Sequence, residues 1–121
     1  MSHDHPIDGQ VVLLAAAKAS VPGSRLPELL ERAQDELASE LDDYRRRYEL
    51  AVETDERYCF FVPADHWEGF GEEHGLDRRE HGAIRRTHEE QLKRLGKDED
   101  RRAEFETALD VRSAAVIGKP K

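Results

Sequence analysis

The sequence has little of several things: one cysteine, one methionine, one tryptophan and five lysines in 121 residues. The lone thiol, Cys59, cannot form an intramolecular disulfide, and no paired-cysteine zinc motif exists, so a reducing cytosol is the expected compartment. Long apolar runs are missing too. The longest, Val11–Ala17, is far short of the ~20 residues that a bilayer-spanning helix needs. No basic region precedes it, and the start is acidic, which argues against a signal peptide. A cytoplasmic protein without a membrane segment is therefore expected. Also absent are a G-x-S-x-G elbow, a phosphate-binding loop and a dinucleotide fingerprint. No catalytic centre, cofactor site or metal site can be assigned from motifs.

What is present is charge. Asp and Glu number 27 against 19 Lys and Arg, giving a formal charge of −8, and 14 of the 19 bases are arginine. The bulk charge has the same sign as nucleic acid and anionic lipid, so it favours neither as a partner. A local basic face can still coexist with an acidic background. The length fits a single domain, 1–121, large enough to bury a core without staples. Residues 1–5 and 119–121 are expected to be loose ends.

The apolar pattern predicts an α+β fold that is predominantly helical, with about five helices and two short strands. Ile7-Asp8 precedes an apolar first helix, with Asp8 as N-cap and Ile7 packing on Val12 as a staple. Val21-Pro22-Gly23-Ser24 ends it. Leu30, Ala33, Leu37, Leu41, Tyr44, Tyr48 and Ala51 then step by threes and fours, which predicts one long amphipathic helix over about 26–52. At ~1.5 Å per residue it would be ~39 Å long, more than a chain of this size easily covers. Arg57–Val62 reads as a buried strand ended by Pro63, and Ala114–Ile117 as a second strand that pairs with it. Between the strands, Asp65 with Glu68 and Asp77 with Glu80 are capping pairs for helices His66–His74 and Arg78–Leu95. Gly75 separates these helices, and Gly96 is placed as a C-cap. A third helix starts near Asp98 or Asp100 and buries Phe105 and Leu109.

Chemistry is concentrated in one stretch. Residues 77–97 hold seven bases and four acids, so the segment is +3 while the rest of the chain is −11. Arg79, Arg86 and Lys93 recur every seven residues and form one stripe, with Ile84, Leu92 and Leu95 opposite. Arg78 and Arg79 stand where the helix dipole disfavours bases, a repulsion that a phosphate would relieve. With the preceding helix and the Gly75 turn, the segment loosely resembles a helix-turn-helix over 65–96, in which Arg78, Arg79, Arg85, Arg86 and Lys93 would contact nucleic acid. The competing reading is that these bases pair with the abundant acids of the chain, including those of the long helix. His74, His81 and His88 also step by seven, too far apart along a helix to share one metal ion, and His81 and His88, near the Ile84 face, are read as packing histidines. His3 and His5 could hold a metal only loosely. Cys59 is read as a buried, inert thiol.

Three segments, His5-Pro6-Ile7-Asp8-Gly9, Tyr44-Arg45-Arg46-Arg47-Tyr48-Glu49 and Val116-Ile117-Gly118, together with the acid-rich, lysine-poor composition, resemble the uncharacterised short acidic proteins of haloarchaea. The resemblance implies a halophilic, cytosolic origin and no activity. Leading among the functional expectations is a non-enzymatic interaction or regulatory protein. It would work as a homodimer or adaptor through the seam Leu30, Leu37, Leu41, Tyr44 and Tyr48. The alternative is a helix-turn-helix DNA binder, and the third is a small enzyme without a recognisable motif.

Overall fold

A computed structural model describes residues 6–120. The order is α1 (Gly9–Ala19), α2 (Arg25–Ser39), α3 (Leu41–Arg47), β1 (Glu49–Glu53), β2 (Arg57–Pro63), α4 (His66–His74), α5 (Arg78–Asp98), α6 (Arg102–Ala108) and β3 (Arg112–Gly118). The α+β class stands, with six helices among the described residues rather than about five, and three strands rather than two. The strands form one antiparallel sheet in the order β1-β2-β3. The expected pairing of the two predicted strands is found: β2 pairs with β3 over its whole length, Arg57 opposite Gly118 and Pro63 opposite Arg112. No helix among the described residues is long and apolar enough to cross a membrane.

The predicted long helix over 26–52 is the main correction. It breaks at Glu40, whose backbone leaves the helical region and whose N–H bonds back to Leu37. Ser39 assists the break, because its hydroxyl donates to the Glu36 carbonyl at 2.7 Å and competes with the helical ladder. The chain then makes two turns as α3 and enters β1, which hairpins onto β2 with a bulge between Leu50 and Val52. The longest helix is α5 instead, at 21 residues. It runs through Gly96, which is buried within it and is not a C-cap. Asp8 stands at the N-cap position of α1 but makes no capping bond. Its backbone and carboxylate engage Gln91 of α5 instead, at 2.7 and 3.2 Å. Residues 1–5 and 121 lie outside the described residues. Lys119 is tied to the β1–β2 hairpin by its N–H to the Glu56 carbonyl and its ammonium to Glu53.

Strand alternation divides the core into two clusters. Phe60, Val62, Ala115 and Ile117 face α2 and α4, meeting Leu26, Leu30, Leu37 and Trp67. Cys59, Phe61, Ala114 and Val116 face the opposite way, toward Leu92, Leu95 and Phe105. Helix α5 serves both: Ala83 and Ile84 of its first half join one cluster, and Leu92 and Leu95 of its second half join the other. It therefore lies along the free edge of β3, and His88, between the two halves, meets that edge directly.

Among the described residues no fourth strand pairs with β3. Its outward backbone groups are met by side chains: Trp67 Nε1–H donates to the Ala114 carbonyl at 2.9 Å, and the Val116 N–H donates to His88 Nδ1 at 2.9 Å. Gln34 of α2 closes the rest, donating to the Val116 carbonyl and accepting from the Gly118 N–H at 2.6 and 3.1 Å. Since buried backbone groups must be paired, these three side chains stand in for the missing strand. Trp67→Phe keeps an aromatic ring but, besides removing part of the buried indole, leaves the buried Ala114 carbonyl without a donor. Urea unfolding should show a loss of about 1–3 kcal/mol, the usual cost of orphaning a buried acceptor; an unchanged midpoint would mean that the edge is satisfied in another way.

Candidate nucleic-acid interface

The connection between α4 and α5 is short and fully specified. Gly75 adopts the left-handed conformation (φ +67°) that closes α4, and the Leu76 N–H returns to the Gly71 carbonyl at 2.8 Å. Leu76 packs against the core, and Asp77 starts α5. The predicted Asp77–Glu80 capping box is present: the Glu80 N–H donates to Asp77 at 2.9 Å, and the Asp77 N–H donates to Glu80 at 3.0 Å. Glu80 also accepts from Arg25 of α2 at 3.0 Å, so the start of α5 is braced from two sides. Helices α4 and α5 approach closely at Gly71, where an added methyl group would lie 2.6 Å from the His81 ring. Two helices joined by a three-residue glycine turn thus form one rigid corner.

The outer face of α5 holds the predicted contact residues. Arg78, Arg79, Arg85 and Arg86 are all exposed, and they surround Gly82 on the first turns. Lys93, two turns further on, is half-buried and paired with Glu90 at 3.1 Å. Arg85 pairs with Glu89 at 2.9 Å, and Arg94 with Asp8 at 3.3 Å. Arg78, Arg79 and Arg86 make no ion pair among the described residues. The competing expectation, pairing with the abundant acids, is met for Arg85, Lys93 and Arg94, whose partners are not acids of α2. Among the described residues, the ion pair between α2 and α5 runs the other way, from Arg25 to Glu80.

The predicted seam is placed differently. Leu30, Ala33 and Leu37 are at most 1% exposed and Tyr44 is 7% exposed, all within one chain. Leu41 and Tyr48 are half-buried against the same cluster. Leu30, Leu37, Leu41, Tyr44 and Tyr48 thus line the interior of this domain.

Behind α4, facing α2 and α3, lies a cleft of about 720 Å³ that sequence reading missed. At its wall the Tyr44 hydroxyl and His66 Nε2 are 2.6 Å apart. Burial lowers the His66 pKa to about 4, with Asp65 opposing, and burial pushes the Tyr44 phenol upward. Both groups are neutral near pH 7, which suits a structural bond rather than proton transfer at that pH. Cys59 is fully buried, and burial pushes its thiol up to about 12, with Arg57 opposing. That agrees with its reading as an inert thiol. Of the stepped histidines, His88 is buried against Trp67 and His81 is half-buried against Gly71.

The chain belongs to the family described as Domain of unknown function (DUF8048), whose model matches residues 5–119. No curated protein and no solved structure matches it.

The His66 burial has a pH signature. Folded, the ring binds a proton only near pH 4, whereas unfolded it does so near 6.5, so the unfolded chain takes up protons first. Stability should therefore fall as pH drops from about 6.5 to about 4, by at most about 3 kcal/mol from this group. His66→Gln, which preserves an acceptor for Tyr44, should flatten the urea midpoint across that window relative to the parent chain. An equally steep fall in the variant would place the acid sensitivity elsewhere.

Proposed function

We propose that this protein is a DNA-binding regulator that lays the first turns of α5 in the major groove, with α4 as the supporting helix of a helix-turn-helix. The observation that carries the reading is the set of exposed arginines, Arg78, Arg79 and Arg86, in the first half of α5 that make no ion pair among the described residues. In a chain with 27 acids, these three exposed guanidiniums stay solvated and available to an anion. Helix-turn-helix readers contact bases with the N-terminal residues of the second helix, and arginine is the side chain best shaped for guanine edges and phosphates. Gly82 leaves the centre of this face open, with no atom near the place of a side chain. The acids of the rest of the chain suit work in concentrated salt, where the screening length shrinks to ~3 Å and only contacts at close range count.

A regulatory interaction protein was the leading expectation, and this reading keeps the regulation while moving the contact from the apolar seam to α5. Self-association retains one independent support: Leu13 and Leu14, consecutive residues of α1, are 71% and 60% exposed. A two-fold pair of chains would present two α5 helices to two half-sites. Light scattering in molar KCl should give a dimer that becomes a monomer in Leu13→Ser/Leu14→Ser; a monomeric parent chain would dispose of this part.

DNA binding itself is tested by fluorescence anisotropy against a pool of duplexes in low and molar KCl. Arg79→Glu/Arg86→Glu should weaken binding by about 100-fold or more, given ~1–3 kcal/mol for each direct contact. Arg32→Glu, a charge reversal at an exposed position of α2, should leave it unchanged. Binding by the double variant equal to that of the parent chain, or none by the parent chain, would overturn the proposal.

A further inference from the structure

The geometry points to a divalent transition-metal site formed by Glu36 of α2 with Glu73 and His74 of α4. One ligand atom from each of the three lies within 4.8 Å of the other two, and it is the one such cluster among the described residues. His74 Nε2 and Glu36 Oε1 are 3.4 Å apart. That is long for a hydrogen bond, but it matches the ~3.4 Å edge of a tetrahedron built on ~2.1 Å metal–ligand bonds. The imidazole is already oriented, stacked on Phe70 with ring centroids 4.2 Å apart. Glu36 and His74 are each about two-thirds buried or more, whereas Glu73 is exposed. A small rotation of Glu73 would complete three ligands, leaving water to fill the remaining positions.

The donor set selects the ion. One imidazole with two carboxylates suits Zn²⁺ or Co²⁺. Ca²⁺ takes six to eight oxygens and Mg²⁺ a nearly ideal octahedron of them, and three donors including a nitrogen supply neither. Glu36 and Glu73 also line the cleft behind α4, so an ion held by them would sit at its wall with open positions facing the cavity. The site does not depend on the DNA reading. It uses the opposite side of α4, and its test measures metal alone.

The experiment titrates the full chain, stripped with chelator, with Co²⁺ and follows the visible d–d absorption; Zn²⁺ calorimetry gives the stoichiometry. Expected are one ion per chain, competition by Zn²⁺ and none by Mg²⁺. Glu36→Gln and His74→Gln should each weaken binding by at least about tenfold. Since His74 packs on Phe70 and its loss could loosen α4, exposed Glu73→Gln serves as a second variant. It should weaken binding while its melting temperature in chelator matches that of the parent chain. Zn²⁺ should raise the melting temperature of the parent chain, because the ion would tie α2 to α4. His3→Ala/His5→Ala should bind as the parent chain does. Binding that survives Glu36→Gln/His74→Gln, that is lost with His3 and His5, or that is absent would overturn the site.

Discussion

The free edge of β3 governs the arrangement. A strand with one unpaired side must be covered, because its N–H and C=O groups lose water and gain no partner. Here a tryptophan, a histidine and a glutamine from three helices do the covering. Each bond fixes the helix that carries it. Trp67 places the start of α4, Gln34 places α2, and His88 places the middle of α5 against Val116. His88 accepts at Nδ1, so the ring proton sits on Nε2, and the ring also lies 4.5 Å from Trp67. The edge thus joins two of its own caps into one aromatic contact. Shifting β3 by one residue would present groups of the wrong kind to all three caps and turn its side chains into the wrong core.

The orientation of α5 follows. With His88, Gln91 and Thr87 buried at its centre and apolar residues on either side, its inward face is fully committed. Gln91 binds Asp8, and the Thr87 hydroxyl donates to the Ala83 carbonyl at 2.7 Å, so the polar groups of that face are used internally. A helix so committed has one side left for solvent, and the arginines occupy it. Their exposure is a consequence of the edge capping.

Much of this was legible where the signal was local. The Asp77–Glu80 box lies within one turn, and the Gly75 break and the β-branched and aromatic run of β2 are equally short in range; all were readable. The break at Glu40 was not, because Leu37, Leu41, Tyr44 and Tyr48 keep a helical period through it. The tertiary need to bring Tyr44 beneath Phe60 and to start β1 overrides that period. Leu50 and Val52, two residues apart, carry a strand signal at the end of that period, and both lie in β1. The five basic residues could be named from their spacing, whereas the pairing of Arg85 and Lys93, and the lack of an ion pair at Arg78, Arg79 and Arg86 among the described residues, could not. Neither could Tyr44 with His66, nor Glu36 with Glu73 and His74. Each of these groups joins α2 or α3 to α4 across the hairpin, and no spacing rule connects residues so far apart in the chain.

Helix α4 ties these sites together, and its nine residues show why both ends matter. Its first residue, His66, is bonded to Tyr44 of α3, and its last, His74, lies against Glu36 of α2. One imidazole at each end therefore anchors α4 to the α2–α3 pair. Between them, Gly71 admits His81 of α5 to a distance that no other residue would allow. A displacement of either end of α4 would be transmitted at Gly71, since close-packed contacts repack rather than compress. The turn at Gly75 adds no slack, being held by the Leu76 return bond on one side and the capping box on the other. The aim of Arg78 and Arg79 is thus set by how α4 sits on α2 and α3, so the acidic cleft and the basic face are two sides of one mechanical element.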